Sequence, residues 1–125
     1  MIDLHLSKLG KTWIFDIDGT IVKHNGYKID GHDTLLDGAK EFFSEKINND
    51  DIVVLITSRK KMYQEQTENF LKANNIRFDY IIYEAPYGER IIINDNKPSG
   101  LTTAISIPTE RDQFLQENII IDENL

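Results

Sequence analysis

The sequence predicts an α/β fold: a parallel sheet between helical layers, in one domain spanning residues 1–125. Three observations carry this. Short apolar runs recur at 12–17, 52–56, 80–83, 90–94 and 103–107. Between them, 34–47 and 60–74 show helical periodicity, and strands alternating with helices build parallel sheets through right-handed crossovers. The chain has 125 residues, enough for one core and little else.

Thr12, Trp13, Ile14 and Phe15 favour a strand over 12–17. Residues 21–32 are short and polar, with Gly26 and Gly31, and predict a small hairpin or flap. Leu35, Leu36, Ala39, Phe42, Phe43 and Ile47 recur at i, i+3/i+4 spacing, the stripe of an amphipathic helix over 34–47 with Asp33 as its cap. Ile52-Val53-Val54-Leu55-Ile56 is unbroken, as expected of a central parallel strand covered on both faces. A second helix over 60–74 has a thinner stripe of Met62, Tyr63, Phe70 and Leu71. Tyr80–Tyr83, Arg90–Asn94 and Thr103–Ile107 predict three more strands, followed by a helical turn over 109–116. Ile119-Ile120-Ile121 reads either as an edge strand or as an interface arm.

The 21 acidic residues against 14 basic ones give a formal charge of −7. That balance argues against a general nucleic-acid binder, which needs a basic footprint. There is no cysteine, which excludes disulfides and thiolate chemistry. The first residues show no signal peptide, and no apolar run approaches the ~20 residues of a membrane span. The expected compartment is the cytoplasm.

Asp16-Ile17-Asp18-Gly19-Thr20 closes the 12–17 strand, placing two carboxylates where open α/β sheets bind ligands. Unit charges ~4 Å apart at an effective dielectric of ~20 repel by about 4 kcal/mol, so a cation is expected between them. Mg²⁺ is the natural choice for hard oxygen ligands. An Asx turn is the plain alternative. An EF-hand loop fails, because its sixth and twelfth positions, Gly and Glu, are here Ile21 and Tyr27.

Asp16-x-Asp18-Gly19-Thr20 resembles the first motif of the haloacid dehalogenase superfamily. Ile56-Thr57-Ser58-Arg59 resembles its second motif, and Asn94-Asp95 stands where its fourth falls. The resemblance implies a Rossmann-like, three-layer sheet with the 12–17 strand central, and a capless form, since neither inter-motif gap holds a cap. It implies Asp16 as nucleophile and Asp18 as proton donor and acceptor. Thr57 would seat the phosphate, although a Thr there also suits a helix cap. Gly19, Thr20, Ser58 and Arg59 would contact phosphate or substrate. Asp16, Asp18 (through its backbone carbonyl) and Asp95 would hold Mg²⁺. The third-motif Lys has no counterpart between Lys72 and Lys97. Lys97 is the expected replacement, because Arg90 at the start of its strand would lie at the far end. His24, His32, Tyr83 and Tyr87 read as surface or packing groups.

The whole pattern resembles small capless proteins of bacterial surface-polysaccharide biosynthesis. It implies a Mg²⁺-dependent phosphomonoester hydrolase acting on a small sugar or polyol phosphate. The expected partners are that phosphorylated metabolite and, where Ile119–Ile121 is an interface arm rather than an edge strand, further copies of the chain; charge and hydropathy argue against nucleic acid and membrane. The missing Lys and the neutral Asn94 support a rival reading: a phosphosugar-binding or partner-regulating protein with little turnover.

Overall fold

Ile52–Ile56 does form the centre of a parallel sheet. The computed structural model describes residues 2–125. Its larger sheet has three strands in the order β2 (Thr12–Asp16), β3 (Ile52–Ile56), β4 (Tyr80–Ile82), all parallel. A second sheet pairs β1 (Asp3–Leu6) in parallel with β5 (Asn118–Ile121). Between the strands lie α1 (Gly26–Ile29), α2 (Ala39–Glu45) and α3 (Gln64–Ala73), the last entered through a 3₁₀ turn at Lys61–Tyr63. The chain is thus α/β with parallel sheets.

Side-chain alternation sets the core. Val53 and Leu55 are fully buried, and Phe15 of β2 points to the same interior. Ile52, on the other face of β3, is 44% exposed, so β3 is not covered evenly on both faces as its unbroken apolar run predicts. Phe15 meets Phe43 at 5.0 Å and Phe114 at 6.2 Å between ring centroids, and Trp13 meets Phe42 edge-on at 5.4 Å. Such rings bring large apolar area and geometric preference together.

The helices are shorter than their periodicity predicts, for local reasons. Gly38 adopts φ 92° immediately before α2. Upstream of it, Thr34–Leu36 runs back along the flap: the Lys23 N–H donates to the Thr34 carbonyl and the Leu36 N–H to the Ile21 carbonyl, both at 2.9 Å. The flap itself carries α1 rather than a plain hairpin. At the end of α3, Asn75 takes φ 59°, and the Asn75 and Ile76 N–H groups return to the Lys72 and Leu71 carbonyls. This is a Schellman closure, with Ile76 and Leu71 both buried.

The C-terminal third departs most from expectation. Residues 90–94 and 103–107 are not strands, and 109–116 holds only a turn. Ile91 and Ile93 are 79% and 92% exposed; with no facing layer, a strand here would bury nothing. β2 therefore has β3 as its one neighbour and is an edge, not the centre. Ile119 pairs with Leu4 and joins the core at 7% exposure. The Ile119–Ile121 segment is thus an edge strand seated on its own chain, one of the two readings the sequence left open. Among the described residues no helix is long and apolar enough to cross a membrane.

Candidate active site

Asp16 and Thr57 stand side by side at the carboxyl ends of neighbouring strands. β2 and β3 are in register with Asp16 opposite Ile56, and Thr57 follows directly. After Asp16 the chain turns sharply. Ile17 is buried, and its carbonyl accepts the N–H groups of Thr20, Ile21 and Val22 at 3.2, 3.0 and 3.2 Å. Gly19 sits in this turn at φ 82°, donating its N–H to the Val22 carbonyl at 2.7 Å, a conformation in which a side chain would be strained.

The Asp16 carboxylate is one-third exposed, with 34% of the side chain open to solvent. Thr20 Oγ1 donates to its Oδ2 at 3.2 Å, and Arg90 Nη1 lies 3.3 Å from its Oδ1. Arg90 is therefore the cation beside Asp16. The expectation that it lies at the far end assumed a strand over 90–94. Because that segment is irregular, Arg90 reaches Asp16. Lys97 instead sits exposed in a turn where its own N–H bonds the Leu101 carbonyl.

Asp18 and Arg59 are locked together. Arg59 Nε and Nη2 donate to the two Asp18 oxygens, each at 2.9 Å. Nη2 and Nη1 also donate to Asp33 at 2.6 and 3.0 Å, and Nη1 to Thr67 Oγ1 at 2.9 Å. All five guanidinium donors are thereby used. The Tyr27 ring stacks on the guanidinium, 3.9 Å from Cζ. Burial, the largest single effect, disfavours the Arg59 charge, but hydrogen bonds and charges from Asp33 and Asp18 outweigh it and hold its pKa above the ordinary value. Burial and then the Asp18 charge likewise raise Tyr27.

Two expectations change here. Arg59, only 3% exposed, has no donor left for a substrate and instead fixes the orientation of the Asp18 carboxylate. Asp33 caps no helix; its carboxylate is the second anchor of Arg59. Thr57 is fully buried and its Oγ1 accepts the Arg59 N–H at 3.0 Å, so it braces the loop after β3. Ser58 is partly exposed beside it. The helix that follows begins only after Lys60, and the Lys61 N–H is taken by Glu84 Oε2 at 3.3 Å. One N–H at that helix start is therefore already occupied by a carboxylate.

Among the described residues, no group of three or more His, Asp or Glu side chains gathers closely enough to hold a metal ion. Asp95 is exposed on the irregular segment, and the carboxylate of Asp18 is held by Arg59, which leaves Asp18 its backbone carbonyl for a cation. Asp16, one-third exposed, is a carboxylate of the kind magnesium uses when one or two carboxylates are completed by substrate phosphate and water.

A further wall was not foreseen from the sequence. The Asp112 N–H donates to the Gly19 carbonyl at 2.8 Å, and Asp112 Oδ1 accepts the His24 N–H at 2.7 Å. Phe114, 3% exposed in the aromatic core, holds this segment down. Two concavities, one including Leu35 and Lys40 and the other Gln64 and Phe78, include neither Asp16 nor Arg59.

No protein-family model matches the chain, and no curated protein does. Among solved structures it is similar to a chain of the Pnkp1/Rnl/Hen1 complex, with a TM-score of 0.52 and 26% identity over 67% of this chain and 31% of that one. A second likeness, at 24% identity, is to a chain of the Pnkp1/Rnl/Hen1 RNA repair complex, with a TM-score of 0.52 over 72% of this chain and 30% of the other. The chain thus spans about a third of the length of the solved chains it matches.

These findings correct the reading drawn from the family resemblance. No family match carries the resemblance to small surface-polysaccharide haloacid dehalogenase proteins, and the similar solved chains belong to an RNA repair assembly. The sugar or polyol phosphate, the surface-polysaccharide role and the exclusion of nucleic acid fall with it. The exclusion rested on a net charge of −7, but net charge averages over the surface. At the carboxyl end of β2, Arg90 stands against Asp16.

Proposed function

We propose that this chain is a phosphomonoester hydrolase domain that removes a phosphate from a nucleic-acid end. The observation that carries the reading is Asp16: a partly exposed carboxylate at the carboxyl end of β2, steadied by Thr20 and faced by Arg90 at 3.3 Å. The likeness to chains of an RNA repair assembly supports the class of substrate. We read the sheet as Rossmann-like, and a cytoplasmic setting fits this role.

Asp16 attacks phosphorus while the bond to the leaving oxygen breaks and that oxygen takes a proton from solvent, giving an acyl phosphate on the Asp16 carboxylate. Water then attacks the same phosphorus, breaking the acyl phosphate and returning Asp16 with inorganic phosphate. Asp18, oriented by Arg59 through both oxygens, takes the proton from that water. Arg90 offsets charge on the phosphoryl oxygens. Asp16 would also hold a Mg²⁺ entering with the phosphate, whose chemistry is further neutralisation of that charge.

The test is release of inorganic phosphate from a terminally phosphorylated oligoribonucleotide, with Mg²⁺ and with EDTA. The expected result is Mg²⁺-dependent release that falls by at least ~10³ in Asp16→Asn. No release by the folded wild-type protein with any divalent cation overturns the reading.

A further inference from the structure

Each of the four arginines has a distinct setting. Arg59 is saturated by Asp18, Asp33 and Thr67. Arg77 is spent on the carbonyls of Asn48 and Asp51 and on Asp79. Arg90 faces Asp16. Arg111 has no hydrogen-bond or ion-pair partner among the described residues, although the chain is acidic overall.

Its position is nonetheless built. Asp112, next in sequence, is pinned to the Gly19 carbonyl and to the His24 N–H. Asp112 takes φ 65°, which Asp tolerates, and Phe114 anchors the segment in the core. The stem of Arg111 lies over the Gly19 turn: a Cβ on Gly19 would meet Arg111 Cγ at 3.2 Å and the His24 ring at 3.6 Å. A long cationic side chain is thus laid across the loop that carries Asp16 and Asp18. Of the two carboxylates adjacent to it in sequence, Asp112 already accepts from His24, and exposed Glu110 makes no ion pair with it among the described residues. A guanidinium in this setting suits an anion brought from outside, and its fork matches phosphate oxygens.

We propose that Arg111 binds the phosphodiester next to the reacting phosphate, so that the site discriminates a polynucleotide end from a lone phosphomonoester. The inference rests on the reading of Asp16 as the centre of a site for nucleic-acid ends. Arg90 serves the reacting group and Arg111 its neighbour. A two-point grip of this kind gives affinity to a chain end that a free monoester lacks.

The experiment measures binding and turnover separately. A single-stranded oligoribonucleotide with one terminal phosphate, labelled at the other end, is titrated by fluorescence anisotropy at several salt concentrations. Arg111→Gln keeps the stem over Gly19 and removes the charge. It is expected to weaken binding about tenfold at low salt and to flatten the log–log salt slope by about 0.7, one single-strand phosphate contact. Arg111→Lys should restore the slope but only part of the affinity. Lys8→Ala removes a charge between β1 and β2, at the opposite end of β2 from Asp16, and should leave both unchanged. In turnover, Arg111→Gln should raise KM for the oligonucleotide more than for p-nitrophenyl phosphate. Wild-type protein that does not bind the oligonucleotide, or Arg111→Gln that matches wild type in affinity and slope, overturns the inference. Binding that depends on Arg111 without phosphate release sustains it while removing the hydrolase reading.

Discussion

Arg59 grips both oxygens of Asp18 from the end of the neighbouring strand, at 2.9 Å each, and so ties the loop after β2 to the loop after β3. Asp33, at the far end of the flap, takes the same guanidinium with a nearly inaccessible side chain. One buried cation therefore fixes three separate stretches of chain. Removing one member of a buried ion network costs more than the network contributes over an apolar replacement, because it strands the remaining charges.

Arg59→Met should accordingly lower the unfolding free energy by about 3–5 kcal/mol, read from urea denaturation. A loss under about 1 kcal/mol, the size of a surface pair, would mean that Asp18 and Asp33 are solvated and the network is not structural.

Arg90, found beside Asp16, and Lys97, expected there from the sequence, can be separated by substitution. Arg90→Met should lower kcat/KM for a phosphorylated oligonucleotide by about 10²–10³, the cost of losing one charge-stabilising group. Lys97→Met should cost far less. The reverse order would return the role to Lys97 and show that the Arg90–Asp16 contact is incidental.

Asp51 supplies a pH prediction. Burial, the largest influence, raises its pKa, but N–H groups of Asn48, Lys11 and Trp13 on its carboxylate outweigh burial and hold it below the ordinary 3.8. A depressed folded pKa gives stability that is present above the unfolded value and is lost as pH falls through the folded one. Asp51→Asn should thus be less stable than wild type at neutral pH, and the gap should narrow only below pH 3.8. Urea midpoints across that range provide the check; a gap independent of pH would show that the carboxylate charge plays no part.

What could be read from the sequence followed how local the signal was. β2, β3 and the Asp16–Thr20 turn were legible because strand propensity, a loop glycine and paired carboxylates lie within a few residues of one another. Asp33 was misread because, before Thr34 and Leu35, it looks like a helix cap, while its real partner lies 26 residues away. The Ile91–Ile93 run has strand composition but no layer to cover it, and composition carries no information about a missing partner. Arg90 was placed wrongly for the same reason. Arg111 offered no local pattern, since its relation to Gly19 arises only from tertiary contact.

The pairing of β1 with β5 has a consequence for how the molecule is assembled. Asp3 and Asn118, bonded side chain to side chain, are separated by 115 residues. A ribosome delivers residues 12–82, and with them the whole β2–β3–β4 sheet, long before β5 exists. β1 must wait for its partner, and closing so large a loop is entropically slow. Leu4 and Leu6, which pack on the core once paired, remain unprotected during that interval. The small sheet is therefore the latch that shuts last in synthesis, and its amides should be among the first to exchange with solvent in the finished protein.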